Sequence, residues 1–222
     1  MDIIKIFSTA QKMSAIRRYS QIHLLKEESV LEHTGFVCLF SYLLCHELNT
    51  KATNNLTETM DIGEVLCKAV VHDIDEVVTG DIPRPTKYFN SETKKVFDKM
   101  AKIGMTQVVN QLEMQNINTF LNWEKAKDGK EGKIVALADL ASVVYKIWDE
   151  MIMLSNNKLM RQAMQVSEYM YDFSLKIKNN EDFTNKQKEI IIDVLNQFVT
   201  IIGTITETNT EIYGTINCFK EQ

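Results

Sequence analysis

Apolar residues recur at helical spacing along most of this chain. Residues 2 to about 14 alternate apolar and polar positions in that rhythm and predict a first helix. Ser29-Val30-Leu31-Glu32 has capping-box form, in which serine and a glutamate three residues later satisfy N–H groups left free at a helix start. The apolar run behind it reaches Leu48, with Phe36, Val37, Phe40, Leu43 and Leu44 as its expected buried stripe. Residues 49–60 are polar and predict a loop. Asp61 is placed to cap the next helix, whose apolar face is Ile62, Val65, Leu66, Ala69 and Val70. That helix is expected to carry His72-Asp73 and to end before Gly80. Pro83 and Pro85 restrict their predecessors to extended backbone, so residues 80–85 predict a stiff, non-helical loop. Helical spacing resumes near Ser91, with an expected break at Gly104, and runs to about Ala126. The polar stretch from Lys127 to Gly132 predicts a turn, and Lys125 through Lys133 read as a solvated face. Three further helices are predicted, from Lys133 to about Ser155, over 158–177 and over about 184–206. The last opens with Thr184 and Gln187 in a second capping box. The pattern describes an all-α chain with one domain over residues 1–206 and a loose tail over 207–222.

Composition narrows this picture. Only two prolines and eight glycines occur in 222 residues, too few for the many tight turns of an all-β protein. A hydrophobic fraction of 45% excludes wholesale disorder. The net charge of −5 offers no basic footprint for duplex nucleic acid, so no such partner is expected. No stretch of about 18 uncharged apolar residues is present, which excludes a membrane-spanning helix. The N-terminal residues lack a secretory pattern, and none of Cys38, Cys45, Cys67 and Cys218 forms a CxxC pair. Reduced thiols and a cytoplasmic location are therefore expected.

The chemistry concentrates in few residues. Four histidines occur: His23, His33, His46 and His72. His72-Asp73 closes an apolar run, and Glu76 follows four residues after the histidine. Asp139 is embedded in Ile134-Val135-Ala136-Leu137-Ala138-Asp139-Leu140-Ala141, where a lone charge is costly. One divalent cation would satisfy imidazoles and carboxylates together. Each residue also has an ordinary structural explanation. His33 could be a bonded core histidine, His72-Asp73 a helix terminus, and Asp139 half of a buried ion pair. Glu32 already has a capping role.

The order His33, His72-Asp73, Asp139 resembles the metal-binding pattern of the HD-domain phosphohydrolases. More narrowly, the chain resembles the YfbR-like 5′-deoxynucleotidases. The matching stretches are Arg18-Tyr19, Glu32-His33-Thr34, His72-Asp73-Ile74-Asp75-Glu76, the run from Thr79 to Tyr88, and Ala138-Asp139. They span about residue 5 to about residue 175. The resemblance implies a helical HD-domain bundle, here with extra C-terminal helices. It also implies a homodimer and one divalent transition ion, Co²⁺, Mn²⁺, Fe²⁺ or Zn²⁺, held by His33, His72, Asp73 and Asp139. The implied reaction removes the 5′-phosphate from deoxyribonucleoside monophosphates. Glu76 resembles the family's catalytic acid and Asp81 its partner in proton transfer. Arg18 resembles the phosphate-gripping cation, and Lys87 occupies a motif position near the same pocket.

The family usually has tryptophan after the pocket arginine, as a wall against ribose, and this chain has Tyr19. A preference for deoxyribose softer than tryptophan would give is expected. Two rival readings keep the same residues: a small HD-type deoxynucleoside triphosphate hydrolase, and a non-catalytic nucleotide-binding protein.

Overall fold

The computed structural model describes residues 3–52, 58–112 and 122–207. These residues form nine α-helices: α1 (Ile3–Ala15), α2 (Val30–Lys51), α3 (Ile62–Val71), α4 (Glu76–Thr79), α5 (Arg84–Lys87), α6 (Ser91–Leu112), α7 (Gly129–Trp148), α8 (Met160–Lys178) and α9 (Asn185–Glu207). No strand occurs among them; a single antiparallel bridge joins Arg17 to Ser29. The all-α expectation holds.

Both predicted capping boxes form. The Ser29 side chain accepts from the Glu32 N–H while the Glu32 carboxylate accepts from the Ser29 N–H at 2.7 Å. Gln187 N–H donates to Thr184 Oγ1 at 3.2 Å, and Thr184 N–H to Gln187 Oε1 at 3.0 Å. Asp61 caps α3 through the Glu64 N–H.

The core is built on α7. Its residues Ile134, Leu137, Ala138 and Ala141 meet Val37, Leu44 and Leu48 of α2 and Val65 and Ala69 of α3. Met170 and Ile177 of α8 and Ile191, Leu195 and Ile202 of α9 extend the same cluster. A smaller cluster of Val30, Val71, Ile74 and Met105 lies under α1 and α6.

Several expected details are corrected. Leu43 and Val70 point outward, 53% and 46% exposed, because α2 and α3 are apolar on more than one face and packing selects which face is covered. Helix α2 continues to Lys51, into the predicted loop; residues 53–57 of that loop lie outside the described residues. Helix α3 stops at Val71, not near Gly80, and a tightened turn of i→i−3 hydrogen bonds carries His72 through Asp75 before α4 begins. The turn re-aims Glu76, which therefore does not continue the face of α3. Arg84–Lys87 form one helical turn that takes in the last two residues of the segment expected to be non-helical, since proline is tolerated in the first turn, where its missing N–H has no intrahelical acceptor.

Gly104 does not break α6. A Cβ there would come within 2.2 Å of Val78 Cγ1, so the glycine lets α4 seat against α6. Helix α7 starts at Gly129, inside the predicted turn, and gives way at Trp148 to a π-helical turn, Asp149–Met153. Residues 113–121, within the predicted run to Ala126, and the tail over 208–222 lie outside the described residues.

Candidate active site

Three elements bring one donor set together. His33 comes from the first turn of α2, His72 and Asp73 from the turn after α3, and Asp139 from the middle of α7. One donor atom from each of the four lies within 4.8 Å of every other. His33 Nε2 is 3.0 Å from His72 Nε2, 3.2 Å from Asp73 Oδ2 and 3.3 Å from Asp139 Oδ1. Two imidazoles and two carboxylates converging on one point fit a divalent first-row ion.

The supporting shell prepares this set. His72 Nδ1–H donates to the Ala69 carbonyl at 2.7 Å, leaving the Nε2 lone pair toward the centre. His33 Nδ1 has two neighbours, Ser142 Oγ at 2.9 Å and Arg18 Nη1 at 2.7 Å. Ser142 gives its proton to the Asp139 carbonyl at 2.9 Å, so toward His33 it accepts. Arg18 can only donate. The two neighbours therefore favour opposite tautomers. Bonding to Arg18 leaves the proton on Nε2, facing His72 and the carboxylates; bonding to Ser142 clears Nε2 for an ion and frees the guanidinium edge.

Charge is arranged around this centre. Lys127 Nζ lies 2.6 Å from Asp139 Oδ2. Burial pushes the Asp139 carboxyl up, but Lys127 and His33 outweigh it and hold the group well below the usual range. Asp73 is likewise held low, burial being outweighed by His72 and Lys127. Glu76 behaves oppositely. Burial, with Asp73 and Asp81 adding like charge, pushes it up to about 10. Its Oε2 is buried and has no hydrogen-bond partner among the described residues. A carboxyl pushed up in this way can hold a proton in the range where ordinary carboxyls have lost theirs.

The donor set opens into a cleft of about 670 Å³ whose lining includes Arg18, Tyr19, Asp73, Asp81 and Asp139. Arg18 is fixed by the short bridge before α2: its N–H donates to the Glu28 carbonyl at 2.9 Å and Nη1 to Glu28 Oε2 at 2.8 Å. Tyr19 has a left-handed backbone, φ 57°, and its N–H donates to Asp81 Oδ2 at 3.0 Å. A non-glycine residue held there costs about 1–3 kcal/mol, so its surroundings must enforce the conformation. Tyr19 Oη is buried without a partner among the described residues, and burial pushes the phenol up to about 12.

Seven of the nine expected site residues thus line this cleft or belong to its donor set, and Glu76 lies within electrostatic reach of Asp73, Asp81 and Arg18. Lys87 does not line the cleft; its ammonium sits 4.0 Å from buried Asp75, whose carboxyl is pushed up to about 6 by burial. The cleft-side role read from its motif position is not supported by this placement.

Three residues escaped the sequence reading. Lys127, expected on a solvated face, pairs with Asp139. The signal was Gly132, where a Cβ would meet the Lys127 carbonyl carbon at 2.5 Å, so the turn folds back onto α7. Ser142 lies one turn after Asp139, and a lone serine in an apolar helix carries no sequence signal. Glu150, fully buried, holds the Tyr19–Ser29 loop by accepting from the Leu25 and Lys26 N–H groups, both at 2.9 Å.

Residues 5–186 match the protein family described as 5′-deoxynucleotidase YfbR-like. The 5′-deoxynucleotidase YfbR of Escherichia coli is 29% identical over 159 residues, covering 71% of this chain and 78% of that protein. Among solved structures, an HD-domain phosphohydrolase from Listeria innocua superposes with a TM-score of 0.65 and 21% identity, over 92% of this chain and 99% of that one. The HD phosphohydrolase of cyanophage S-2L, bound to dA and one catalytic Zn²⁺ ion, superposes at 0.52 with 15% identity, over 89% and 96%. At these identities the structural likeness establishes the fold.

Proposed function

We propose that this chain, which belongs to the YfbR-like 5′-deoxynucleotidase family, hydrolyses deoxyribonucleoside 5′-monophosphates to deoxynucleoside and phosphate with one divalent transition ion. The observation that carries this reading is the convergence of His33, His72, Asp73 and Asp139 within 4.8 Å beside a cleft that also holds Arg18. The E. coli relative bears the name of that activity, and the cyanophage neighbour pairs an adenine deoxynucleoside with zinc.

An ion held there would polarise the phosphoryl group and make water a better nucleophile. The protein's own groups supply the remainder. Arg18, released from His33, turns its guanidinium edge to the phosphate and fixes its orientation. Protonated Glu76 gives its proton to the leaving O5′ as the P–O bond breaks. Asp81 secures the backbone of Tyr19 against the sugar and, by its charge, keeps Glu76 protonated. Lys87 acts one step away, by holding Asp75. The reading includes a homodimer, for which Leu39, Tyr42 and Leu43 of α2 offer an exposed apolar face, and a cytoplasmic setting suited to the free thiols of Cys38, Cys45 and Cys67. Among the described residues no helix is long and apolar enough to cross a membrane.

The test is metal analysis together with phosphate release from a panel of dNMPs, NMPs and dNTPs. Parent protein should hold about one ion and release phosphate from dNMPs; Asp139→Ala should lose both. Release from dNTPs alone would replace this reading with that of a triphosphate hydrolase, and a metal-replete protein inert to the whole panel would leave it without support.

A further inference from the structure

The cleft is longer than a mononucleotide requires. One face of α8 lines it from Arg161 to Lys176, fifteen residues, which at 1.5 Å per residue is about 22 Å. A nucleotide in a stacked strand advances about 3.4 Å, so this length holds several. Wherever the four-donor centre projects onto that length, one end lies more than about 10 Å away. Both ends carry a cation, Lys176 at one and Arg161 with Lys158 at the other, and Arg84 lies between. None of these four makes an ion pair among the described residues, although Asp172 also lines the cleft.

The surface between the cations suits bases. Arg84 stacks its guanidinium 4.1 Å above the Tyr169 ring, forming a flat, positively charged platform, and Phe173 follows one turn further along α8. Gln162 Oε1 is buried in the same wall with no hydrogen-bond partner among the described residues, an acceptor available to an amino group. Alternating cations and aromatic faces along a groove are how proteins hold single strands without reading sequence. The extra phosphates of a nucleoside triphosphate would instead gather beside the scissile one, close to Arg18, and could not reach the distant cations.

We propose that the cleft accepts short single-stranded oligodeoxynucleotides with a 5′-terminal phosphate, and that the protein is also a 5′-phosphatase of such fragments. Resting on the reading above, the 5′-phosphate occupies the four-donor centre and the 3′-linked nucleotides run along α8. The reaction balances as simple hydrolysis. Water adds to phosphorus, the P–O5′ bond breaks, O5′ takes up a proton, and a 5′-hydroxyl oligonucleotide and inorganic phosphate leave.

The test measures phosphate release with Mn²⁺ from dAMP, 5′-phosphorylated di- and trideoxyadenylate, and dATP, in the parent and in Arg161→Glu. Parent protein should hydrolyse the trinucleotide with a KM about tenfold below that for dAMP and a steeper rise of KM with salt. Arg161→Glu should raise the trinucleotide KM about tenfold and leave dAMP kinetics unchanged. Hydrolysis of dAMP without the oligonucleotides would overturn the inference and leave the nucleotidase reading standing. An Arg161→Glu effect on dATP alone, or equal effects on dAMP and trinucleotide, would also overturn it. Failure on all four substrates would remove both.

Discussion

Ser142 Oγ lies 2.9 Å from His33 Nδ1 while donating its own proton to the carbonyl of Asp139, also at 2.9 Å. One buried hydroxyl thereby links two of the four donors, and it favours the His33 tautomer whose Nε2 is free to bind an ion. Ser142→Ala should keep the fold, since the site is small and fully buried in either form. Metal affinity should fall by about 10- to 100-fold, the usual cost of losing an outer-shell bond to a ligand histidine. Calorimetric titration with Mn²⁺ or Zn²⁺ reads this directly; an unchanged Kd would mean that Arg18, and not Ser142, governs His33.

Glu76 is expected to act as an acid because burial and its two acidic neighbours push it up to about 10. Glu76→Gln keeps the shape but has no proton to give. Turnover of dAMP should drop by about 10²- to 10⁴-fold with metal content unchanged. The drop should be much smaller on p-nitrophenyl phosphate, whose leaving group departs without protonation. Equal losses on both substrates would assign Glu76 to something other than leaving-group protonation.

The loop behind Arg18 depends on Glu150. Burial alone would raise this carboxyl, but N–H donors of Leu25, Asn156, Lys26 and Lys146 outweigh it and hold it at about 2. The folded value lies below the ordinary 4.5, so the group adds stability that is complete above pH 4.5 and lost as pH falls toward 2. The shift corresponds to about 3 kcal/mol. Glu150→Gln should lower the stability at pH 7 by roughly that amount and flatten the stability curve between pH 4.5 and 2. Urea unfolding of parent and variant across that range checks it; parallel curves would show that the network contributes nothing through its charge.

What the sequence revealed and what it hid divide along a physical line. Capping boxes at Ser29 and Thr184 are local, closed within four residues, and both form as read. The donor set was legible because polar residues inside apolar runs, such as Asp139, need a reason to be there. Exposure of Leu43 and Val70 was not legible, since a helix apolar on several faces leaves the choice to its neighbours. The Lys146–Glu150 pair has the i,i+4 spacing of an ordinary surface bridge, yet both are buried, and the returning loop at Leu25 and Lys26 closes over Glu150 together with Asn156. Lys127 sits in a polar turn that reads as solvent-facing until the close approach at Gly132 is seen.

Tyr19 carries the most specific expectation. It lines the cleft, its N–H bond to Asp81 helps hold its backbone at φ 57°, and its hydroxyl is buried with no partner among the described residues. A flat wall against C2′ rejects an added hydroxyl by at most about 10²-fold. An unpartnered phenol works against that rejection, because the 2′-hydroxyl of a ribonucleotide can satisfy it; one neutral hydrogen bond recovers about 0.5–1.5 kcal/mol, or roughly two- to tenfold. The parent should therefore prefer dAMP over AMP by about tenfold rather than a hundredfold. Tyr19→Phe removes the phenol and keeps the wall, so it should raise the preference by two- to tenfold. Tyr19→Trp should raise it as well, and Tyr19→Ala should bring the ratio near unity. The measurement is kcat/KM for dAMP against AMP in all four proteins. The same ratio in Tyr19→Phe as in the parent would take the hydroxyl out of the argument, and the same ratio in Tyr19→Ala would place the sugar elsewhere in the cleft.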